Sequence, residues 1–106
     1  GYTGVGESSG PVQPAECTLH ANYPNPFNPA TTISFDLHKR SEIQLMIYDV
    51  RGKLVKKLSQ GERGPGRHQV EWNGTDRNGN YVSSGVYIYR LQAGKNVHSR
   101  KMMLVK

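Results

Sequence analysis

The 106-residue sequence is poor in cysteine and has no long hydrophobic run. Its single cysteine, Cys17, excludes an internal disulfide and a cysteine-rich zinc site. No apolar run approaches the ~18 residues of a membrane-spanning helix. The length allows one small domain, because folding buries about two-thirds of the surface of a chain of this size.

Acidic residues are scarce, with 8 Asp and Glu against 14 Lys and Arg, which gives a net charge of +6. Such a balance favours acidic partners, whether nucleic acid, anionic lipid or polysaccharide. The basic residues are scattered, however, and the segment SGVYIYRL, residues 84–91, lacks the order of the RNA-recognition signature. We therefore expect no nucleic-acid partner, while an anionic surface polysaccharide stays open.

Sequence patterns of enzymes are missing. There is no G-x-S-x-G, P-loop, H-E-x-x-H or G-x-G-x-x-G, and no two of the four histidines have metal-ligand spacing. The segment from Trp72 to Gly79 faintly resembles a calcium loop but holds one carboxylate, Asp76, so a turn is the simpler interpretation. We expect no catalysis, no cofactor and no metal.

Residues 1–16 are predicted to be a flexible linker, since they are rich in Gly, Ser and Pro and lack apolar periodicity. From residue 17 to residue 106 the period is two, which is typical of half-buried strands. The predicted fold is an all-β, immunoglobulin-like sandwich of about seven antiparallel strands. Inward positions are predicted at Ile33, Phe35, Leu37, Ile43, Leu45, Ile47, His68, Val70, Trp72, Tyr87, Tyr89, Leu91, Met102 and Leu104.

Turn chemistry separates these strands. Two Asp-x-x-Gly segments end in Gly52 and Gly79, and each glycine is expected at positive φ. A strand is predicted from Lys53 to Ser59, followed by a looser connection over residues 61–66. Trp72 is expected between the sheets, and His68 is expected to be partly buried and hydrogen-bonded.

The segment NYPNPFNP, residues 22–29, is unlike an ordinary turn. Three prolines within six residues fix φ and remove three backbone donors, so the segment cannot be a central strand. It is predicted to be a rigid edge segment leading into a strand. Tyr23 and Phe27 are expected to plug an open end of the core.

This segment and three later blocks closely resemble the type A C-terminal sorting domain of the type IX secretion system. That family is also similar to the immunoglobulin-like domain of flagellar hook-capping proteins. The matching blocks are LHANYPNPFNPATTISFDL, IQLMIYDVRGKLVKKL, GRHQVEWNGTDRNGNYVSSGVYIYRLQAG and RKMMLVK. The sequence departs from the family at Cys17, Ala21 and His38.

The resemblance implies a domain that directs a larger exported protein across the outer membrane to the cell surface. The partners would be the outer-membrane secretion machinery, a sorting peptidase and a parent cargo domain N-terminal to Gly1. The protein would be exported, with the periplasm as its transit compartment and the cell surface or the extracellular space as its destination. The family motif covers Asn22, Tyr23, Pro24, Asn25, Pro26, Phe27, Asn28 and Pro29, and the candidate sorting positions are Gly85, Tyr87, Lys101 and Lys106.

Two other functions stay open. One is a purely structural immunoglobulin-like module. The other is the carbohydrate-binding module of a secreted hydrolase, in which Tyr48, Tyr81 and Trp72 would be candidate sugar platforms and some of them would be solvent-exposed and coplanar.

Overall fold

The computed structural model describes residues 17–106, and the predicted linker, residues 1–16, lies outside this range. The described residues form strands and loops without a helix long and apolar enough to cross a membrane. Seven strands follow in chain order: β1 (Cys17–Leu19), β2 (Thr31–Leu37), β3 (Ser41–Asp49), β4 (Leu54–Arg63), β5 (Gly66–Trp72), β6 (Gly85–Ala93) and β7 (Asn96–Leu104).

The strands form two sheets, one of three strands in the order β1-β2-β5 and one of four in the order β4-β3-β6-β7. Every pairing within these sheets is antiparallel. The two sheets bury one shared core, which confirms the predicted immunoglobulin-like sandwich.

Alternation along each strand decides which side chains enter the core. In β2 and β3 every second residue is buried, and Ile33, Ile43 and Leu45 have no exposed surface. Trp72 is also fully buried, as predicted. His68 is half-buried, stacks on Phe35 and hydrogen-bonds the Gly64 carbonyl oxygen through Nε2 at 2.8 Å, which confirms its predicted environment.

Both Asp-x-x-Gly turns have the predicted geometry, with φ of 84° at Gly52 and at Gly79. In the first turn, Asp49 Oδ1 accepts hydrogen bonds from the backbone N–H groups of Arg51 and Lys53, both at 2.9 Å. Asp76 repeats this pattern in the second turn. The aspartate therefore ties down the turn amides, and the glycine completes the change of direction.

Two expectations need correction. The strand predicted from Lys53 to Ser59 is β4, which begins at Leu54 and continues to Arg63, because residues 59–63 pair in unbroken register with residues 41–45 of β3 and Gly61 lies opposite Ile43. Tyr23 does not plug the core, since it is 81% exposed. Its neighbour Asn22 takes the inward position, and alternation then turns Tyr23 outward.

Candidate functional site

The proline box, defined as residues 22–29, connects the three-stranded sheet to β7, the last strand of the four-stranded sheet. Tyr23 forms an antiparallel bridge with Thr32 of β2, whereas Phe27 forms a parallel bridge with Leu104 of β7. The box therefore crosses from the three-stranded sheet to the outer edge of the four-stranded sheet. Its prolines have no N–H to donate, which suits a crossing segment better than a paired strand.

Backbone hydrogen bonds fasten the box to β7. The Phe27 N–H donates to the Met103 carbonyl oxygen at 3.0 Å, and the Val105 N–H donates to the Phe27 carbonyl oxygen at 2.9 Å. The Met103 N–H also donates to Asn25 Oδ1 at 3.0 Å. Two segments about 75 residues apart in sequence are thus one structural unit.

A small buried network holds the box in its bent shape. Asn22 Nδ2 donates to the Pro24 carbonyl oxygen at 3.2 Å and to Thr31 Oγ1 at 3.0 Å. Thr31 Oγ1 in turn donates to the same Pro24 oxygen at 2.8 Å. Asn22 and Thr31 are both buried, and these bonds satisfy Asn22 Nδ2 and Thr31 Oγ1 in place of water. Asn22 Oδ1 is buried without a hydrogen-bond partner among the described residues.

Three aromatic rings connect the box to the third resemblance block, residues 66–94. The Phe27 and Trp72 ring centroids lie 5.7 Å apart, and those of Trp72 and Tyr87 lie 5.4 Å apart in an edge-on arrangement. The Trp72 indole N–H donates to the Thr75 carbonyl oxygen at 2.8 Å. Next to this loop Gly74 lies close to the box, because a Cβ there would meet the Pro29 carbonyl oxygen at 3.1 Å.

The candidate sorting positions Gly85 and Tyr87 lie at the start of β6. Their register partners on β7 are Leu104 and Met102. Tyr87 is buried, and its hydroxyl donates to the Ser83 carbonyl oxygen at 2.6 Å. Burial raises the pKa of Tyr87, with a smaller contribution from the Asp49 carboxylate. Tyr87 therefore supports β7, the terminal strand, from inside the core.

The two candidate lysines have exposed side chains. Lys101 lies on the outer face of the four-stranded sheet, paired with Ile88, and Arg90 of β6 is its diagonal neighbour. Between residues 17 and 106 no carboxylate forms an ion pair with Lys101 or Arg90. The backbone N–H of Lys106 donates to Ser84 Oγ at 3.1 Å, which fastens the chain end beside β6.

Apolar side chains lie beside Lys101. A groove of about 220 Å³ is lined by Asn25, Val86, Lys101, Met102 and Met103. Met103 is 44% exposed and Val105 45%. The surface at the terminal strand is therefore mixed, with cationic groups beside apolar ones. This surface, together with the proline box, is the candidate site.

A hydrogen-bonded trio that the sequence did not suggest, formed by His20, Asp36 and Arg67, lies on the outer face of the three-stranded sheet. Asp36 contacts His20 Nε2 at 2.7 Å and Arg67 Nε at 2.9 Å. The hydrogen bonds from Arg67 and then from His20 lower the pKa of Asp36 to about 2. These residues lie 16 and 31 positions apart from Asp36, so only strand register brings them together.

The sugar-platform hypothesis fails for Trp72, which is fully buried. Tyr48 is half-buried on the sheet face, and Tyr81 is 66% exposed. Tyr81 lines a cleft of about 340 Å³ between the two Asp-x-x-Gly turns. The three aromatic side chains therefore do not form a common platform.

A sequence model of the FlgD Ig-like domain matches residues 23–96. No curated protein sequence matches the chain.

Among solved structures, dimeric latent PorU from Porphyromonas gingivalis is similar, with a TM-score of 0.72 and 22% identity over 89% of this chain and 10% of PorU. PorZ, a surface component of the type IX secretion system of the same organism, has a TM-score of 0.58 and 24% identity over 83% of this chain and 11% of PorZ. FlgD from P. aeruginosa has a TM-score of 0.56 and 23% identity over 70% of this chain and 59% of that one. The chain thus spans about a tenth of PorU or PorZ, and these likenesses establish the fold.

Proposed function

We propose that this chain, which belongs to the family of FlgD Ig-like domains, is a non-catalytic domain that directs export and surface attachment of a larger protein. It would act as the C-terminal sorting domain of a protein carried by the type IX secretion system. The observation that carries this proposal is the docking of the proline box on the terminal strand. The proline box and the terminal strand both belong to segments that resemble the sorting domain, and in the fold they form one surface.

The similarity to PorZ supports the same proposal, since PorZ is a surface component of the type IX system. The partners would be the outer-membrane secretion machinery, a sorting peptidase and a cargo domain preceding Gly1. The protein would pass through the periplasm and end at the cell surface or outside the cell. Gly85 and Tyr87 would act indirectly, by holding β7 in place from the core side.

The test is a fluorescent reporter fused to residues 16–106 and expressed in a cell with a working type IX system. The fusion is expected outside the outer membrane. Deleting Arg100 to Lys106 is expected to trap it in the periplasm, but the deletion also removes Met102 and Leu104 from the core. Misfolding alone would then give the same result.

A double variant separates the two causes. Lys101→Ala with Lys106→Ala leaves the core untouched, because both side chains are exposed. A variant with an unchanged melting curve and reduced export supports recognition of these lysines. Normal export of the folded double variant would remove the lysines from the proposed signal.

The alternative is a structural immunoglobulin-like module without a sorting role, which the FlgD family match favours. The same fusion distinguishes the two functions. A folded wild-type fusion that stays in the periplasm of a competent host is the result expected of a structural module.

A further inference from the structure

The proline box covers only part of the outer edge of β7. The Met103 backbone N–H and C=O both point outward, toward the box. The register between β7 and β6 is uninterrupted, so residues two, four and six positions earlier point their backbone groups the same way. The N–H and C=O groups of Val97, Ser99 and Lys101 therefore face outward from the sheet.

Within residues 17–106 nothing forms a hydrogen bond with these outward groups. β1 lies nearby, held by a hydrogen bond of 2.9 Å from Arg100 Nε to the Leu19 carbonyl oxygen, but it does not pair with β7. Val97 is 45% exposed, and Ser99 and Lys101 are exposed as well. An open strand edge is a template for another strand.

Two basic side chains, Lys101 on β7 and Arg90 on the neighbouring strand β6, lie on the outer sheet face next to this open edge. Arg90 is the register partner of Ser99, and Lys101 is its diagonal neighbour on the same sheet face. Neighbouring like charges destabilise a sheet unless something neutralises them, and no described carboxylate does so. Val97 and Met103 add apolar contact area to the same face.

We propose that an extended acidic segment of a partner adds to β7 along Val97–Lys101, with its carboxylates facing Lys101 and Arg90. Backbone hydrogen bonds would supply affinity, and alternate side chains would supply specificity. A second copy of this chain fits poorly, because the net charge of +6 opposes its approach. An anionic membrane would neutralise the basic side chains, but it could not form the row of backbone hydrogen bonds along β7. That the segment belongs to the export machinery rests on the proposed function, whereas strand addition is a property of β7.

Proline at the open edge is the sharpest perturbation. Ser99→Pro removes an outward N–H that β6 does not use, so the β6–β7 ladder keeps its hydrogen bonds. Ser99→Ala keeps the N–H and serves as the first control. The second control is Gln69→Pro on β5. The backbone N–H and C=O of Thr32 on β2 bond Tyr23 and therefore point away from β5. By the β2–β5 register, the Gln69 N–H then points away from β2, toward the open edge of the three-stranded sheet.

The three variants are compared in the reporter fusion, with melting curves to verify folding. Ser99→Pro is expected to lower the exported fraction about tenfold, as loss of a hydrogen bond together with steric blocking of the edge predicts. Gln69→Pro is expected to export normally, and Ser99→Ala, which keeps the backbone N–H, is expected to lose only the part of the export that depends on the serine hydroxyl and to export far more than Ser99→Pro. If the wild-type fusion is exported and folded Ser99→Pro is exported equally well, strand addition is wrong and the export function stands.

If the wild-type fusion is not exported, the proposed function is wrong and a binding measurement decides on strand addition. The probe is a capped peptide alternating glutamate with valine, and its lysine counterpart is the control. Slower amide hydrogen exchange at Val97, Ser99 and Lys101 in the presence of the acidic peptide, but not of the lysine peptide, supports the proposal. It is overturned if the acidic peptide gives no protection, if anionic phosphatidylglycerol vesicles bind and the peptide does not, or if protection depends on protein concentration alone, which would indicate a second copy.

Discussion

Replacing Phe27 by alanine tests whether the proline box is part of the core. Phe27 is 2% exposed, and its ring packs 5.7 Å from the ring of Trp72. Truncating a buried phenylalanine costs about 3–5 kcal/mol, which includes the cavity left beside its neighbours. The tilted ring pair accounts for about 0.5–1.5 kcal/mol beyond burial. The backbone bonds to β7 remain available, so the lower half of the range is expected.

Tyr23→Ala is the matched control, because it removes another aromatic ring from the same box. Tyr23 is 81% exposed, so its truncation is expected to stay within about 0.5 kcal/mol of the wild type. Urea unfolding followed by tryptophan fluorescence gives both values from the shift of the midpoint at constant m-value. Equal costs for the two variants would refute the placement of the box.

Two further predictions concern the turns and pH. Gly52→Ala and Gly79→Ala are each expected to cost about 1 kcal/mol or more in urea unfolding, because alanine is strained at positive φ. Gly64→Ala, where φ is ordinary and space is open, is expected to be near neutral, and an equal loss there would contradict the turn assignment. Arg67 holds the pKa of Asp36 near 2, below its ordinary 3.8, so the trio stabilises the fold fully above pH 3.8 and loses this contribution as the pH falls toward 2. Melting temperatures measured across this range should fall less steeply for Asp36→Asn than for the wild type, and parallel curves would contradict the assignment.

The structural features that the sequence predicts best are those set by local patterns. Alternation over Ile43–Ile47 and at Trp72 indicated the buried face, because a strand places every second residue inward. Each Asp-x-x-Gly turn was predictable for the same reason, since its bonds join residues at most four positions apart. Such features depend on neighbours in the chain and not on the final arrangement of the sheets.

Features that depend on the arrangement of the sheets could not be predicted from the sequence. Tyr23 and Phe27 look equivalent in sequence, but the chain passes between them from one sheet to the other, and only Phe27 enters the core. The docking of the box on Met103 and Val105 depends on two distant segments meeting at one edge. The open edge of β7 likewise becomes visible only once the strand order is known.

The most direct test of the proposed function compares one fusion in two hosts. The reporter joined to residues 16–106 is expressed in a strain with a working type IX system and in an otherwise identical strain that lacks it. The measured quantity is the fraction of folded reporter accessible to added protease outside the intact cell. The sorting function predicts that most of the reporter is accessible in the first strain and almost none in the second. Equal accessibility in both strains, with the domain folded, would contradict it.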